Sequence, residues 1–170
     1  LKQGARYREV KSSDWIYVCD ADEFLTSRIG DGSVRALTAA GGAGVEAISV
    51  PWRRFGTNGQ RDYREGMITQ QFIMANASSG PGAASHAFPK SMFRGELLRD
   101  KHIQRIGVHV PLPKPDLGHD LRVELPGGVA VQPGHQKLLV QADYSLAQVN
   151  HYQLRSMDSF LVKSARGKVN

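Results

Sequence analysis

The stretch DWIYVCDADEFL, residues 14–25, joins a short apolar run to a tight group of acidic residues. Its first part, WIYVC, is rich in aromatic and β-branched residues, which is typical of a buried strand. The run ends at Asp20 and Asp22, which are separated by one alanine, and Glu23 follows directly. In open α/β sheets, ligands bind outside the carboxyl ends of the strands. The stretch therefore predicts a buried strand that carries a polar site at its end.

The two aspartates have the spacing of a cation site. Residues two apart on an extended backbone project to the same face. Carboxylate oxygens suit Mg²⁺ and Mn²⁺, which often bridge to substrate phosphates. We therefore predict that Asp20 and Asp22 bind Mn²⁺ or Mg²⁺. A solvated acidic turn is the alternative interpretation of the same residues.

The segments that follow predict an α/β layer. Ser33 is placed to cap a short helix, which the glycines between residues 41 and 44 would end. VEAISVPWRRF, residues 45–55, has the pattern of a second strand, in which Pro51 is tolerated only near the end or at an edge. This strand–helix–strand order favours an α/β fold over an all-α or all-β fold.

The rest of the chain contributes shorter elements to what we expect to be one domain, residues 1–170. Residues 77–85 read as a flexible connector too short to separate two domains, and the Pro- and Gly-rich residues 111–135 predict irregular structure. Strand patterns occur in KSMFR (90–94), HIQRIGVHV (102–110) and AQVNHY (147–152), and SMDSFLVKSARGK (156–168) predicts an amphipathic helix with Phe160 and Leu161 turned inward.

Composition places the chain among ordinary globular proteins. Hydrophobic residues make up 41% and charged residues 22%, and no apolar run approaches the roughly 20 residues that span a bilayer. The net charge of +6 favours an anionic partner. The single cysteine, Cys19, excludes an internal disulfide framework and a multi-cysteine zinc site. Its place inside the apolar run predicts a small buried core residue.

Five sequence blocks, taken together, resemble one enzyme family. DWIYVCDADEFL resembles the W-hydrophobic-D-x-DEF-L signature of glycosyltransferase family 2-like proteins related to glycosyltransferase family 92. The match spans residues 14–168, which is nearly the whole chain. The other four blocks follow in the family's order: VPWRRFGTNG (50–59), KSMFR (90–94), IGVHVP (106–111) and VNHYQLRSMDSFLVKSARGK (149–168).

The resemblance implies a GT-A-type α/β domain that transfers nucleotide-diphospho-sugars. The family's N-terminal nucleotide-binding strands have no counterpart here, so we expect the C-terminal larger part of that fold, with an incomplete nucleoside pocket. The implied activity is metal-dependent transfer of a hexosyl or related sugar to a glycan or lipid-linked acceptor, as in polysaccharide biosynthesis. The implied setting is cytoplasmic, either in solution or at a peripheral membrane surface.

The resemblance also assigns roles to individual residues. GT-A enzymes often supply a C-terminal histidine to the metal, which points to His151. Lys163 and Arg166 lie three residues apart on one helix face, where they and Arg155 would contact the donor diphosphate. Lys90 lies in a matched block and would line the same cleft. A core histidine and a solvated basic helix face are the alternative interpretations.

A general base is harder to select. An inverting transferase needs a carboxylate to deprotonate the acceptor hydroxyl. The chain has no Glu-Asp pair of the kind often used for this. Asp62, Glu65 and Glu96 remain as unranked candidates.

Two other functions stay open on the sequence. Phosphatases of the haloacid-dehalogenase type also place D-x-D after a strand, but they usually continue with Thr or Val and need a later acidic pair. Here Glu23 and Phe24 follow, and no Asp-Asp pair occurs. A non-enzymatic binding module for polyanions would use the positive charge, although no nucleic-acid motif is visible and nucleic acid is not an expected partner. Its basic cluster would be Arg94, Arg99, Lys101 and Arg105.

Overall fold

The computed structural model describes residues 4–77, 80, 83–107, 109–131 and 139–167. Over these residues the chain forms a mixed α/β fold with five α-helices and a seven-stranded mixed sheet. The helices are α1 (Arg8–Ser12), α2 (Val34–Ala39), α3 (Ile68–Gln71), α4 (Gly95–Arg99) and α5 (Met157–Arg166). The strands are β1 (Trp15–Tyr17), β2 (Glu23–Ser27), β3 (Ala47–Arg54), β4 (His86–Ala87), β5 (Pro89–Arg94), β6 (Ile103–Arg105), β7 (Leu112–Pro113), β8 (Val123–Leu125), β9 (Val129–Val131), β10 (Val140–Gln141) and β11 (Ala147–His151).

The main sheet has the order β1-β5-β3-β11-β2, and the β8–β9 hairpin joins it beside the start of β3. Strand β5 is antiparallel to both β1 and β3, β11 is parallel to β3, and β2 is antiparallel to β11. Strands β1, β3 and β11 therefore end at the same end of the sheet, where β2 and β5 begin. We call this the site end.

The opening stretch forms two strands, not one. Strand β1 stops at Tyr17, so Cys19 lies beyond it and is exposed, and the prediction of a buried cysteine is wrong. The Glu23 N–H donates to the Asp20 carbonyl at 3.1 Å, which turns the chain into β2. Strand β2 was not predicted, and in the structure it pairs with the distant strand β11.

Strand β3 confirms the predicted second strand, but Pro51 lies within a central strand and not at an edge. Its partner on β5 is Pro89, where that ladder ends. On the other side of β3, β8 pairs only as far as Ile48, and the β11 ladder begins at Trp52. The missing N–H of proline therefore falls where β3 changes partners, which makes the position tolerable.

Hydrophobic clusters cover both faces of the sheet. Successive strand residues point to opposite faces, and Met92 and Phe93 of β5 accordingly belong to different clusters. Helix α2 contributes buried Leu37 to the Met92 cluster. The predicted cap of α2 is confirmed, because Ser33 Oγ accepts the Ala36 N–H at 3.0 Å.

The Pro- and Gly-rich region is more regular than predicted. The described residues 111–131 include β7, β8 and β9, while residues 132–135 of the predicted irregular stretch lie outside the described residues. Glu46, just before β3, holds this region through His119 Nε2 at 3.0 Å and through the Arg122 N–H at 2.9 Å. These side-chain bonds between distant segments explain why local composition failed to predict β8.

Two further strand predictions are confirmed, and a third is confirmed only in part. KSMFR lies within β5 and AQVNH forms β11, as predicted. In HIQRIGVHV only β6 is a strand, and Val108 is outside the described residues. Four residues of the connector at residues 77–85, namely 78, 79, 81 and 82, also fall outside them.

Helix α5 forms where the sequence predicts it, but its packing differs. Ser156 Oγ accepts the Ser159 N–H and caps the first turn. No residue of α5 is buried, so the prediction that Phe160 and Leu161 turn inward is wrong. Among the described residues, no helix is long and apolar enough to cross a membrane.

Candidate functional site

The predicted site residues converge at the site end of the sheet. Asp20 and Asp22 lie in the turn between β1 and β2. Lys90 is the second residue of β5, which begins at the same end of the sheet. His151 is the last residue of β11, where the strand register places it between Glu23 of β2 and Arg54 of β3. The strands of the sheet therefore bring together residues from four separate parts of the chain.

One half of the site is a buried ion-pair network. The Lys90 side chain is only 1% exposed, and its ammonium lies 3.0 Å from Asp20 Oδ2 and 3.1 Å from Glu23 Oε2. The Asp20 N–H also donates to Glu23 Oε2 at 2.9 Å. Burial raises the pKa of Glu23, although the Asp20 N–H and Lys90 offset part of that effect. Glu23 thus holds both the Lys90 ammonium and the backbone N–H of Asp20 in place.

The other half of the site joins Asp22 to α5 and β11. Lys163 Nζ donates to Asp22 Oδ2 at 2.8 Å, and His151 Nε2 lies 3.8 Å from Asp22 Oδ1. Burial acts to raise the pKa of Asp22, but Lys163 and His151 outweigh it, so the pKa lies below its ordinary value. Burial lowers the pKa of His151 despite the nearby carboxylate, which favours the neutral imidazole that can bind a metal.

The two aspartates reach different lysines because residues 20–23 form a turn and are not extended. Within the part of the chain that the structure describes, no three His, Cys, Asp or Glu side chains form a group that could hold a metal ion. Asp22 Oδ1 and His151 Nε2 are nevertheless not too far apart to share one ion. Two ligand atoms that each lie about 2.1 Å from an ion are at most about 4.2 Å apart. The observed 3.8 Å falls within that limit.

Aromatic rings and unpaired polar atoms line the site. The Trp52 ring lies 4.3 Å from the His151 ring and 4.8 Å from the His109 ring, measured between centroids. Lys90 Nζ lies 5.9 Å from the centre of the Trp52 ring. Buried polar atoms without a partner mark places where water or ligand is expected. Four such atoms belong to this group of residues: Tyr17 Oη, Glu23 Oε1, Trp52 Nε1 and His151 Nδ1.

An aromatic wall supports the acidic turn. The Phe55 and Tyr152 rings stack with their centroids 4.6 Å apart, and Phe24 meets Tyr152 edge-on at 5.6 Å. The Tyr152 N–H donates to the Asp22 carbonyl at 2.9 Å. The end of β11 thereby fixes the backbone of Asp22 beside His151.

The remaining predicted residues lie in three places. Asp62 and Glu65 lie in the exposed loop that follows β3 at the site end. Glu96 lies in α4, which follows the far end of β5, so the sheet separates it from the acidic turn. Arg155 precedes the Ser156 cap of α5 and Arg166 ends the helix, and neither forms an ion pair with the described residues.

Sequence reasoning did not assign Glu23 to the site. The signal was present, because Glu23 is a third carboxylate within four residues, but its burial depends on Lys90. The proposed polyanion cluster is partly engaged within the chain itself. Arg94 lies over the Trp15 ring at 4.4 Å, and Arg99 Nη1 donates to the carbonyls of Lys11 and Ser13.

The resemblance to glycosyltransferases stays a prediction after comparison with known proteins. The chain matches no protein-family model, no curated protein and no solved structure. What the structure shows is a mixed α/β domain whose acidic, basic and imidazole side chains meet at the ends of three parallel strands.

Proposed function

We propose that this chain is a GT-A-type glycosyltransferase domain that moves a sugar from a nucleotide diphosphate to an acceptor hydroxyl with the help of a divalent cation. The observation that carries the proposal is the position of the Asp22 carboxylate at the site end, where it lies 2.8 Å from Lys163 Nζ and 3.8 Å from His151 Nε2. A carboxylate and an imidazole can hold a cation there, and the lysine adds positive charge for an anionic donor.

The donor atoms of the site suit Mn²⁺ or Mg²⁺. Asp22 Oδ1 and His151 Nε2 would provide two ligands, and the exposed carboxylate of Asp20 lies in the same turn. Ions of this kind are commonly bound by one or two protein groups, with donor phosphates and water completing the shell. When bound, the cation would stabilise the negative charge of the departing diphosphate.

Basic residues of the chain would bind the same diphosphate. The Lys163 side chain is half exposed, so its ammonium can contact a donor phosphate while it stays close to Asp22. Arg166 lies three residues later on the same helix face. Positive groups that are already in place at the leaving group stabilise the transition state without reorganisation.

The acceptor proton would pass to a carboxylate of the loop after β3. Asp62 and Glu65 both lie in this loop, and its contacts with the first turn of α5 keep it at the site end. Glu96 is too far along β5 to take part. The acceptor would be a glycan or a lipid-linked sugar that presents a free hydroxyl to this loop.

The proposal is tested by thermal unfolding of the 170-residue chain with and without Mn²⁺, UDP-glucose and GDP-mannose. A ligand that binds only the folded state raises the unfolding temperature. We expect Mn²⁺ to raise it for the wild-type protein and for Asp100→Asn, an exposed control at the far end of β5, but not for Asp22→Asn. Donor should add a further shift only when Mn²⁺ is present.

The outcomes separate the candidate functions. Equal Mn²⁺ shifts in Asp22→Asn and Asp100→Asn would contradict the site. A Mn²⁺ shift without a donor shift would leave a cation site and contradict the transferase in this chain. Salt-sensitive binding of unrelated polyanions, with no Mn²⁺ effect, would favour the basic binding module instead.

A further inference from the structure

The Asp22 carboxylate divides its two oxygens between two different neighbours. Oδ2 accepts a hydrogen bond from Lys163 Nζ at 2.8 Å, which is the length of a charge-assisted bond. Oδ1 lies 3.8 Å from His151 Nε2, which is too far for a hydrogen bond. One oxygen is therefore already neutralised by an ammonium, while the other faces the imidazole with which it could share a divalent cation.

Lys163 and a divalent cation would compete for this carboxylate. Both would lie next to the same group, so one negative charge would face three units of positive charge. Like charges this close repel strongly, above all where water is partly excluded. The Asp22 side chain is only 12% exposed, so solvent screens the repulsion poorly. Binding of the cation therefore favours departure of the ammonium.

Lys163 is able to leave, whereas the other lysine of the site is not. The Lys163 side chain is 46% exposed, so water can hydrate its ammonium after release. Ion pairs with such an exposed partner contribute little to stability, and breaking one costs little. Lys90, by contrast, is 1% exposed and bonded to both Asp20 and Glu23, and its departure would leave charges buried without partners.

Release of Lys163 would also loosen helix α5. In the first turn of α5, the Asp158 N–H donates to the Arg61 carbonyl of the loop after β3 at 3.0 Å. Beyond that turn, the bond from Lys163 to Asp22 is the one hydrogen bond among the described residues that ties α5 to another part of the chain. No residue of α5 is buried. The second half of α5 thus depends on Lys163 for its position.

We propose that Lys163 is a tethered counter-ion of Asp22 that a divalent cation displaces, and that its departure frees the last turns of α5. Without the cation, the ammonium keeps the carboxylate neutralised and tied to the helix. After displacement, the same ammonium is free to contact the phosphates of a ligand that the cation bridges. The inference rests on the cation site of the proposed function and adds a regulation of that site by the chain's own lysine.

Electron paramagnetic resonance of free Mn²⁺ measures the affinity of the 170-residue chain for the ion with no donor present. Lys163→Gln removes the competing charge, Lys163→Arg keeps it, and Asp22→Asn removes the carboxylate itself. Arg61→Gln is the matched control, because it removes a positive charge from an exposed residue beside the first turn of α5 and leaves the ion pair intact. Circular dichroism checks that every variant stays folded.

We expect Lys163→Gln to bind Mn²⁺ several-fold more tightly than the wild-type protein, Lys163→Arg and Arg61→Gln do, and Asp22→Asn to bind it least. If Lys163 only orients Asp22, Lys163→Gln should instead bind the ion more weakly. Binding by Lys163→Gln that is equal to or weaker than that of Arg61→Gln would overturn the inference and leave the cation site in place. No Mn²⁺ binding by any of these proteins would contradict the cation site and the inference with it.

Hydrogen–deuterium exchange follows the helix directly. Mn²⁺ should speed amide exchange in residues 163–166 of the wild-type protein, because the end of α5 is released. In Lys163→Gln the helix end is already free, so Mn²⁺ should leave its exchange unchanged. Bound Mn²⁺ that does not alter exchange in the wild-type protein would show that Lys163 stays on Asp22, and would overturn the displacement.

Discussion

At the residue scale, Lys90 carries a charge that is almost completely buried. Its ammonium is almost fully buried between the carboxylates of Asp20 and Glu23, and Glu23 has no exposed side-chain surface. A buried charge is tolerated only when it is paired and hydrogen-bonded. Lys90 is therefore the group that allows Glu23 to stay buried and to hold the Asp20 backbone.

We predict that Lys90→Met lowers the free energy of unfolding by about 3 kcal/mol, because it leaves the Glu23 carboxylate buried without its counter-ion. The control Lys11→Met, on exposed α1, should change it by less than about 0.5 kcal/mol. Urea denaturation measures both variants. Adding Glu23→Gln to Lys90→Met should recover part of the loss, since it removes the stranded charge. Additive losses in the double variant would contradict this coupling.

At the element scale, α2 and α5 begin with the same kind of serine cap but are anchored differently. Ser33 caps α2, whose Leu37 lies in the core. Ser156 caps α5, which buries none of its own residues. Loss of helix structure should therefore be coupled to global unfolding for α2 and should remain local for α5.

We predict that Ser33→Ala lowers the free energy of global unfolding by about 1 kcal/mol, the usual cost of losing such a cap. Ser156→Ala should lower global stability less than Ser33→Ala does and should instead speed amide exchange in α5. Chemical denaturation together with hydrogen–deuterium exchange distinguishes the two responses. A large global loss in Ser156→Ala would mean that α5 packs more tightly in solution than its exposure indicates.

At the scale of the whole molecule, the sheet is covered on both faces. Met92 and Phe93 are neighbours on β5, yet each is buried in a different cluster. The charged site lies at the site end of this sheet, outside both clusters. The fold thus keeps its hydrophobic core separate from its candidate chemistry.

We predict that Met92→Ala and Phe93→Ala each lower the free energy of unfolding by about 3 kcal/mol, because each leaves a cavity in a packed cluster. Val129→Ala, at an exposed position of β9, is the control and should change it by less than about 0.5 kcal/mol. Thermal or urea unfolding reports all three. A small effect for only one of the two core variants would show that one face of the sheet is open in solution.

The sequence by itself determined the elements whose signals are local. The apolar run of β3, the strand β11, the Ser33 cap and the position of helix α5 all follow from neighbouring residues. The acidic turn was likewise selected as a candidate site from its composition alone. Such signals survive in any tertiary context, because they depend on contacts within a few residues.

Only the tertiary structure decided burial, pairing and membership of the site. Strand β2 exists because β11 pairs with it, and Cys19 is exposed because β1 stops early. Glu23 joined the site through Lys90, and Glu96 was separated from it by the length of β5. These outcomes depend on the register between segments far apart in the chain, which a local pattern does not encode.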